Sequence, residues 1–246
     1  MSQAAMQTTV GEIVAADFRS AGVFARFGID FCCGGRRSLE DACRAVHADP
    51  SAVIGALDAL PAADPAADNA ADWPLDRLID HIESTHHAYI RAVTPTIAAY
   101  LGKLREVHGA RHPELARIGA AFDRLSADLA QHMLKEERIL FPYVRDLADH
   151  AGQPCGVLRS PFGTVENPIR MMEREHQEAG VELRMIRELT NGYTAPADGC
   201  TTYAVCMAEL QRFERDLHRH IHLENNILFP AAVALERSSW PGAGDD

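Results

Sequence analysis

One helical phrase written twice constrains this chain more than any other feature. HMLKEERILFP at 132–142 returns as HIHLENNILFP at 220–230. Each copy carries His, then Glu four residues on, then Ile-Leu-Phe-Pro. The offset of 88 residues pairs His132 with His220, Glu136 with Glu224 and Pro142 with Pro230, and His87 and His176 recur at an offset of 89. Four histidines and two glutamates on a doubled helical hairpin predict a two-metal site inside a four-helix bundle.

The spacing makes the site. An α-helix turns roughly 100° per residue, so positions i and i+4 nearly eclipse, with Cβ atoms about 5–6 Å apart. His132 and Glu136 therefore point the same way, as do His220 and Glu224. Both pairs fall on apolar stripes. Leu115, Ile118, Phe122, Leu125, Leu129, Leu140 and Tyr143 define the first, and Leu210, Phe213, Leu217, Ile227 and Leu228 the second. His176 joins a third stripe of Ile169, Met172, Leu183 and Ile186.

Buried carboxylates are normally paired or bound to metal. Two glutamates facing one core would repel each other, and a cation between them removes the objection. Imidazole nitrogen with carboxylate oxygen suits iron or manganese, and bundle cores hold paired metals on facing helices. A lone His on an apolar face is usually a satisfied core residue. The competing explanation is a duplicated structural hairpin with Glu136 and Glu224 paired to arginine, which accounts poorly for four inward histidines.

Composition narrows the function. The net charge of −11 over 246 residues argues against nucleic acid, which needs a basic face. No run of 18 apolar residues predicts a membrane span. MSQAAMQTTVGEI has no basic start followed by an apolar run, so no signal peptide is expected. Six Cys in a chain this long do not read as a disulfide framework, and reduced thiols point to the cytoplasm.

The chain divides into a small helical domain at 1–60, a Pro/Ala/Asp linker at 61–72, a four-helix bundle at 73–237 and a tail at 238–246. The front domain reads as short helices, with Ser20, Ser38 and Asp49 as N-caps and Gly28 just past a helix end. Too short for much core of its own, it is a candidate pairing surface for a homodimer. The bundle helices run over about 74–106, 113–149, 165–191 and 201–236, with a Gly/Pro-rich crossover at 152–168. Pro142 and Pro230 should kink or end their helices in the same way.

Phe-Cys-Cys-Gly-Gly in a small helical domain, followed by a bundle carrying HMLKEERILFP and HIHLENNILFP, resembles the iron–sulfur cluster repair proteins. The resemblance covers nearly the whole chain. It implies an all-α fold with a hemerythrin-like bundle and an oxo-bridged pair of iron ions. The implied ligands are His87, His132, Glu136, His176, His220 and Glu224, with Glu136 and Glu224 as bridges. It also implies repair of iron–sulfur proteins damaged by nitric oxide or oxidants, through iron donation, and a thiol or hand-over role for Cys32 and Cys33.

One assignment is in tension. Leu75, Leu78, Ile79, Ile82, Tyr89, Ile90, Val93 and Ile97 place His86 nearest the centre of the first stripe, whereas the resemblance places the ligand at His87. His218 and His222 lie about 200° around the helix from His220 and are expected to face away. His108 is expected to be solvated near a helix end, and Glu175 to line an access route or a solvated face. Rival functions are a hemerythrin-type oxygen-binding or sensing module and a di-iron nitric oxide reductase. A ferritin-like ferroxidase fits less well, because its motifs are Glu-x-x-His.

Overall fold

The apolar periodicity becomes helix almost throughout. The computed structural model describes residues 6–61, 68–150 and 162–239. Most of the crossover, the core of the linker and the end of the tail lie outside these residues. Among the described residues there is no β-strand, only an isolated bridge between Thr9 and Ser38. The helices are α1 Val10–Ala16, α2 Ser20–Arg26, α3 Leu39–Ala45, α4 Pro50–Asp58, α5 Leu75–His81, α6 Ala88–His108, α7 Glu114–Lys135, α8 Phe141–Asp149, α9 Glu166–Leu189, α10 Thr201–Leu223 and α11 Phe229–Ser239. Three π-helical segments, Ile82–His87, Glu136–Leu140 and Glu224–Leu228, join α5 to α6, α7 to α8 and α10 to α11.

Two compact units emerge. One takes the described parts of Met1–Ile79, Val144–Val165 and Arg219–Asp246. The other takes Asp80–Tyr143 and Glu166–His218. The second unit is a four-helix bundle. In it α7 packs against α6 and α9. Phe122 on α7 meets Phe213 on α10 edge-on at 5.4 Å, and Arg187 on α9 pairs with the buried Glu214 on α10. Its core is the stripe read from the sequence: Leu115, Ile118, Phe122, Leu125, Leu129, Ile169, Met172, Leu183, Ile186, Leu210, Phe213 and Leu217 are all buried.

In the first unit the short helices start where their caps allow. Ser38 accepts from the Asp41 N–H, and Asp49 accepts from the Ser51 N–H ahead of Pro50. Ser20 differs from expectation. Its hydroxyl donates to the Asp17 carbonyl at 2.7 Å, and it lies inside α2 rather than capping it. Gly28 has φ +71° after the end of α2, the left-handed conformation that favours glycine. Glu236 on α11 accepts from the Val165 N–H at 2.9 Å and the Thr164 hydroxyl at 2.6 Å.

Neither proline ends its helix. Proline lacks the N–H that would bond four residues back. The chain answers with a wider turn just before it. The Phe141 N–H bonds the Glu136 carbonyl and the Phe229 N–H bonds the Glu224 carbonyl, each five residues back. Both copies make the same adjustment, then resume as α8 and α11. Such π segments concentrate at functional sites, and here each begins on the glutamate of the repeated motif.

Candidate metal centre

In the bundle unit, three histidines and one glutamate converge in the core. His132 sits near the end of α7 and Glu136 opens the π segment that follows. His87 closes the π segment before α6, and His176 lies within α9. All four are buried. Glu136 places one carboxylate oxygen 3.2 Å from His132 Nε2 and the other 3.4 Å from His87 Nε2. The Nε2 atoms of His132 and His176 are 3.0 Å apart.

The outer nitrogens decide what the inner ones offer. His87 Nδ1 is 2.7 Å from Glu137 Oε1, and His132 Nδ1 is 2.9 Å from Glu175 Oε2. A carboxylate only accepts, so each Nδ1 carries a proton, and in the neutral imidazole each Nε2 then turns a lone pair inward. Arg91 pairs with Glu137, and Lys135 with Glu175. The His132 bond, joined by Lys135 and opposed by burial, holds Glu175 down to about 2. Burial works to raise the Glu137 carboxyl, but Arg91 and His87 together keep it below the usual carboxylate range.

This donor set fits a cation. Lone pairs of two imidazoles face a buried carboxylate, an arrangement of acceptors that a metal ion satisfies. Histidine ligands commonly donate their other N–H to a carboxylate, which fixes ring and tautomer. Nitrogen and oxygen donors without thiolate suit iron or manganese.

The tension between His86 and His87 has a structural answer. The segment Ile82–His87 is π-helical, with the Ala88 N–H bonding the Glu83 carbonyl. A π turn takes one residue more than an α turn, so a stripe extrapolated at α spacing falls one residue short. His86 is buried too, but its Nδ1 lies 3.0 Å from Asp216 Oδ1. His87 is the one that meets Glu136.

In the other unit His220 and Glu224 are fully buried, with Nε2 and Oε1 2.9 Å apart. The rest of that motif grips the cysteine loop. The Asn225 amide donates to the Cys32 carbonyl at 3.2 Å, and the Asn226 amide donates to the Phe31 carbonyl at 3.1 Å. Gly11 and Gly35 lie so close to the Asn226 side chain that a Cβ on either would collide with it. His222, expected to face away from His220, is buried against Phe18 and Phe31, with centroid distances of 5.7 and 6.1 Å. Burial, helped by Arg219, pushes His222 down to about 3, so it is neutral and its Nδ1 can accept from Asn226 at 3.0 Å.

Within the loop, Asp30 Oδ1 accepts from the N–H groups of Cys32 and Cys33 at 3.2 and 2.9 Å. Asp30, Cys32 and Cys33 bring their ligand atoms within 4.8 Å of one another. The two sulfurs are 3.9 Å apart, not bonded. The Cys33 thiol, burial and nearby Asp30 push the Cys32 thiol well up, so Cys32 stays protonated while Cys33 is part-exposed.

Sequence reasoning missed Glu137, Asp216, Asn225 and Asn226. It left Glu175 undecided, and Glu175 holds His132 while lining a cavity of about 340 Å³ with His132, His176, Lys135, Asp128 and Glu182. The available signal was the residue after each motif glutamate, Glu137 in one copy and Asn225 in the other.

A bundle with this donor set defines a class, and comparison with known proteins agrees. Residues 77–232 match the model described as Hemerythrin HHE cation binding domain. Residues 6–61 match ScdA_N, a domain of unknown function (DUF542). The chain is 35% identical over 230 residues to the iron-sulfur cluster repair protein YtfE of Musicola paradisiaca (strain Ech703), covering 94% of this chain and 98% of that protein. It is 32% identical over 228 residues to the protein of the same name from Yersinia pestis (strain Pestoides F), covering 93% and 97%. The chain belongs to the iron–sulfur cluster repair family of hemerythrin-like proteins. No helix among the described residues is long and apolar enough to cross a membrane.

Proposed function

We propose that this chain is a cytoplasmic di-iron protein that repairs iron–sulfur proteins damaged by nitric oxide or oxidants, by donating iron. His87, His132, Glu136, His176, His220 and Glu224 would hold the two ions, with Glu136 and Glu224 as bridges. Bound iron supplies both the redox-active positions for nitric oxide or dioxygen and the cargo itself.

The observation that carries this reading is the inward-facing set of Nε2 lone pairs around the buried Glu136. Glu137 and Glu175 hold the Nδ1 protons and so keep two imidazoles oriented for binding. Ligands must be deprotonated to bind, so protonation of the carboxylates would loosen the ions and couple release to acid. Cys33, the more exposed of the vicinal thiols, suits hand-over; Cys32, buried and protonated, supports the loop. In the same reading residues 1–60 form a small separate domain that pairs two chains, which sedimentation would show as a doubled mass.

The test is elemental analysis with an absorption spectrum on wild type and the Glu136→Ala/Glu224→Ala variant. About two irons per chain with near-ultraviolet oxo-bridge absorption, both lost in the variant, is the expected result. Zinc, or no metal, overturns the reading. The cavity beside His132 and His176 favours a second reading, a nitric oxide reductase, because it brings small-molecule space to two of the proposed ligands. Turnover of nitric oxide to nitrous oxide by the iron-loaded protein would establish it; retention of iron in the presence of a damaged client would remove the donor role.

A further inference from the structure

In the bundle unit, away from the histidines and glutamate described above, a second pair of reactive groups faces one another. His108 ends α6 and Cys200 directly precedes α10. His108 Nε2 lies 3.3 Å from Cys200 Sγ. The thiol is exposed, whereas the imidazole is only 4% exposed, contrary to the solvated histidine expected from its position in the sequence. We propose that Cys200 is a thiol-modification site activated by His108, which takes small disulfides by thiol–disulfide exchange.

The chemistry follows from the surroundings. His108 Nδ1 is buried with no hydrogen-bond partner. The tautomer protonated at Nε2 leaves no buried donor unused, and it makes His108 a donor to sulfur. Cys200 also heads a 23-residue helix, whose positive dipole end favours an anion. The hydrogen bond from His108, then the N–H groups of Tyr203 and Thr202, lower the thiol to about 7. The other titratable and charged groups around the pair are His112, Glu114, Asp198, Arg111 and Tyr203. His112 Nδ1 is 3.0 Å from Glu114 and its Nε2 is 3.0 Å from Asp198, and these bonds raise its pKa. Arg111 pairs with Asp198 at 3.2 Å, and the rings of His108 and His112 both pack edge-on against Tyr203. Glu114 and Asp198 are thus engaged by His112 and Arg111 and do not face the sulfur alone.

In the step, the Cys200 thiolate attacks one sulfur of a small disulfide. A new S–S bond forms, the old one breaks, and the displaced sulfur leaves as a thiolate and takes a proton from solvent. Cys200 is oxidised as the leaving sulfur is reduced, so no other oxidant is needed. The contrast within the chain is sharp. Cys206 is buried and burial pushes it up to about 12, and Cys43 is buried and raised by burial.

The experiment treats the full-length protein with bis(2-hydroxyethyl) disulfide between pH 5.5 and 9.5. Mixed disulfide at each cysteine is followed by peptide mass spectrometry, in native and urea-denatured protein. The expected rate at Cys200 in native protein rises with a midpoint near 7, and the denatured chain shows an ordinary thiol midpoint of about 8.5. In His108→Gln the native midpoint moves toward the denatured value. The rate at pH 6.5 then falls roughly fivefold, because the gain in nucleophilicity of a more basic thiolate offsets part of its lost population. Equal midpoints in native and denatured wild type would overturn the proposal without reference to any variant. A midpoint unmoved in His108→Gln would overturn the role of His108. Cys200→Ser removes the adduct peptide and leaves the others.

Discussion

The two copies of the repeated phrase share a backbone and divide the labour of the side chains. Both carry an inward His and Glu, both widen into a π turn at the glutamate, and both absorb a proline without ending the helix. They part at the next residue. In the first copy Glu137 holds His87 Nδ1. In the second, Asn225 and Asn226 hold the carbonyls of Cys32 and Phe31. A repeat that constrains a metal site need constrain only the face turned toward the metal. The adjacent face is free to diverge, and here one copy supports a histidine of the proposed metal site and the other clamps a cysteine loop.

The largest effect should come from the shared face. Glu136→Ala and Glu224→Ala, made separately, should each abolish most of the bound metal, measured by elemental analysis. If one variant keeps its full load, the copies are not equivalent ligands. On the divergent face the effects should separate. Glu137→Ala should weaken metal binding about 10–100-fold in competition with a chelator, the usual cost of losing the carboxylate behind a histidine ligand, and Asn225→Ala should leave that affinity unchanged. In return Asn225→Ala strands a carbonyl of the cysteine loop and should cost about 1–3 kcal/mol in urea unfolding. Gly11→Ala should cost about as much, roughly 1–3 kcal/mol, because its Cβ would press on Asn226 and on the Gly35 carbonyl 2.9 Å away. If Asn225→Ala lowers metal affinity as much as Glu137→Ala does, the division of labour is wrong. The smallest effect belongs to the outer face. Ile139 is 50% exposed, so Ile139→Ser should change stability by no more than about 0.5 kcal/mol, and less than the same change at the half-buried Ile227.

Much of this was legible beforehand because it is local. The stripe of Leu115, Ile118, Phe122 and Leu125 reads as a buried helix face at any α period, and it is buried. The His and Glu pairs were visible because four residues make one turn. His87 was legible from the motif but not from periodicity, because a π turn breaks the period without marking the sequence. His222 looked idle because a helical wheel shows which way a residue points and not what meets it there; Phe18 and Phe31 come from far earlier in the chain.

The sequence by itself determined the helical class, the repeat and the pairing of His with Glu on one helix face, since each depends on neighbours within a turn or two. Only the tertiary structure decided which carboxylates orient the histidines, which amides clamp the loop at Cys32, and that His108 meets Cys200. Those partners stand 50, 43, 193 and 92 residues apart in the chain. A hydrogen bond at that separation leaves no period in the sequence. It exists only once packing has brought the two helices, or helix and loop, to within about 3 Å of each other.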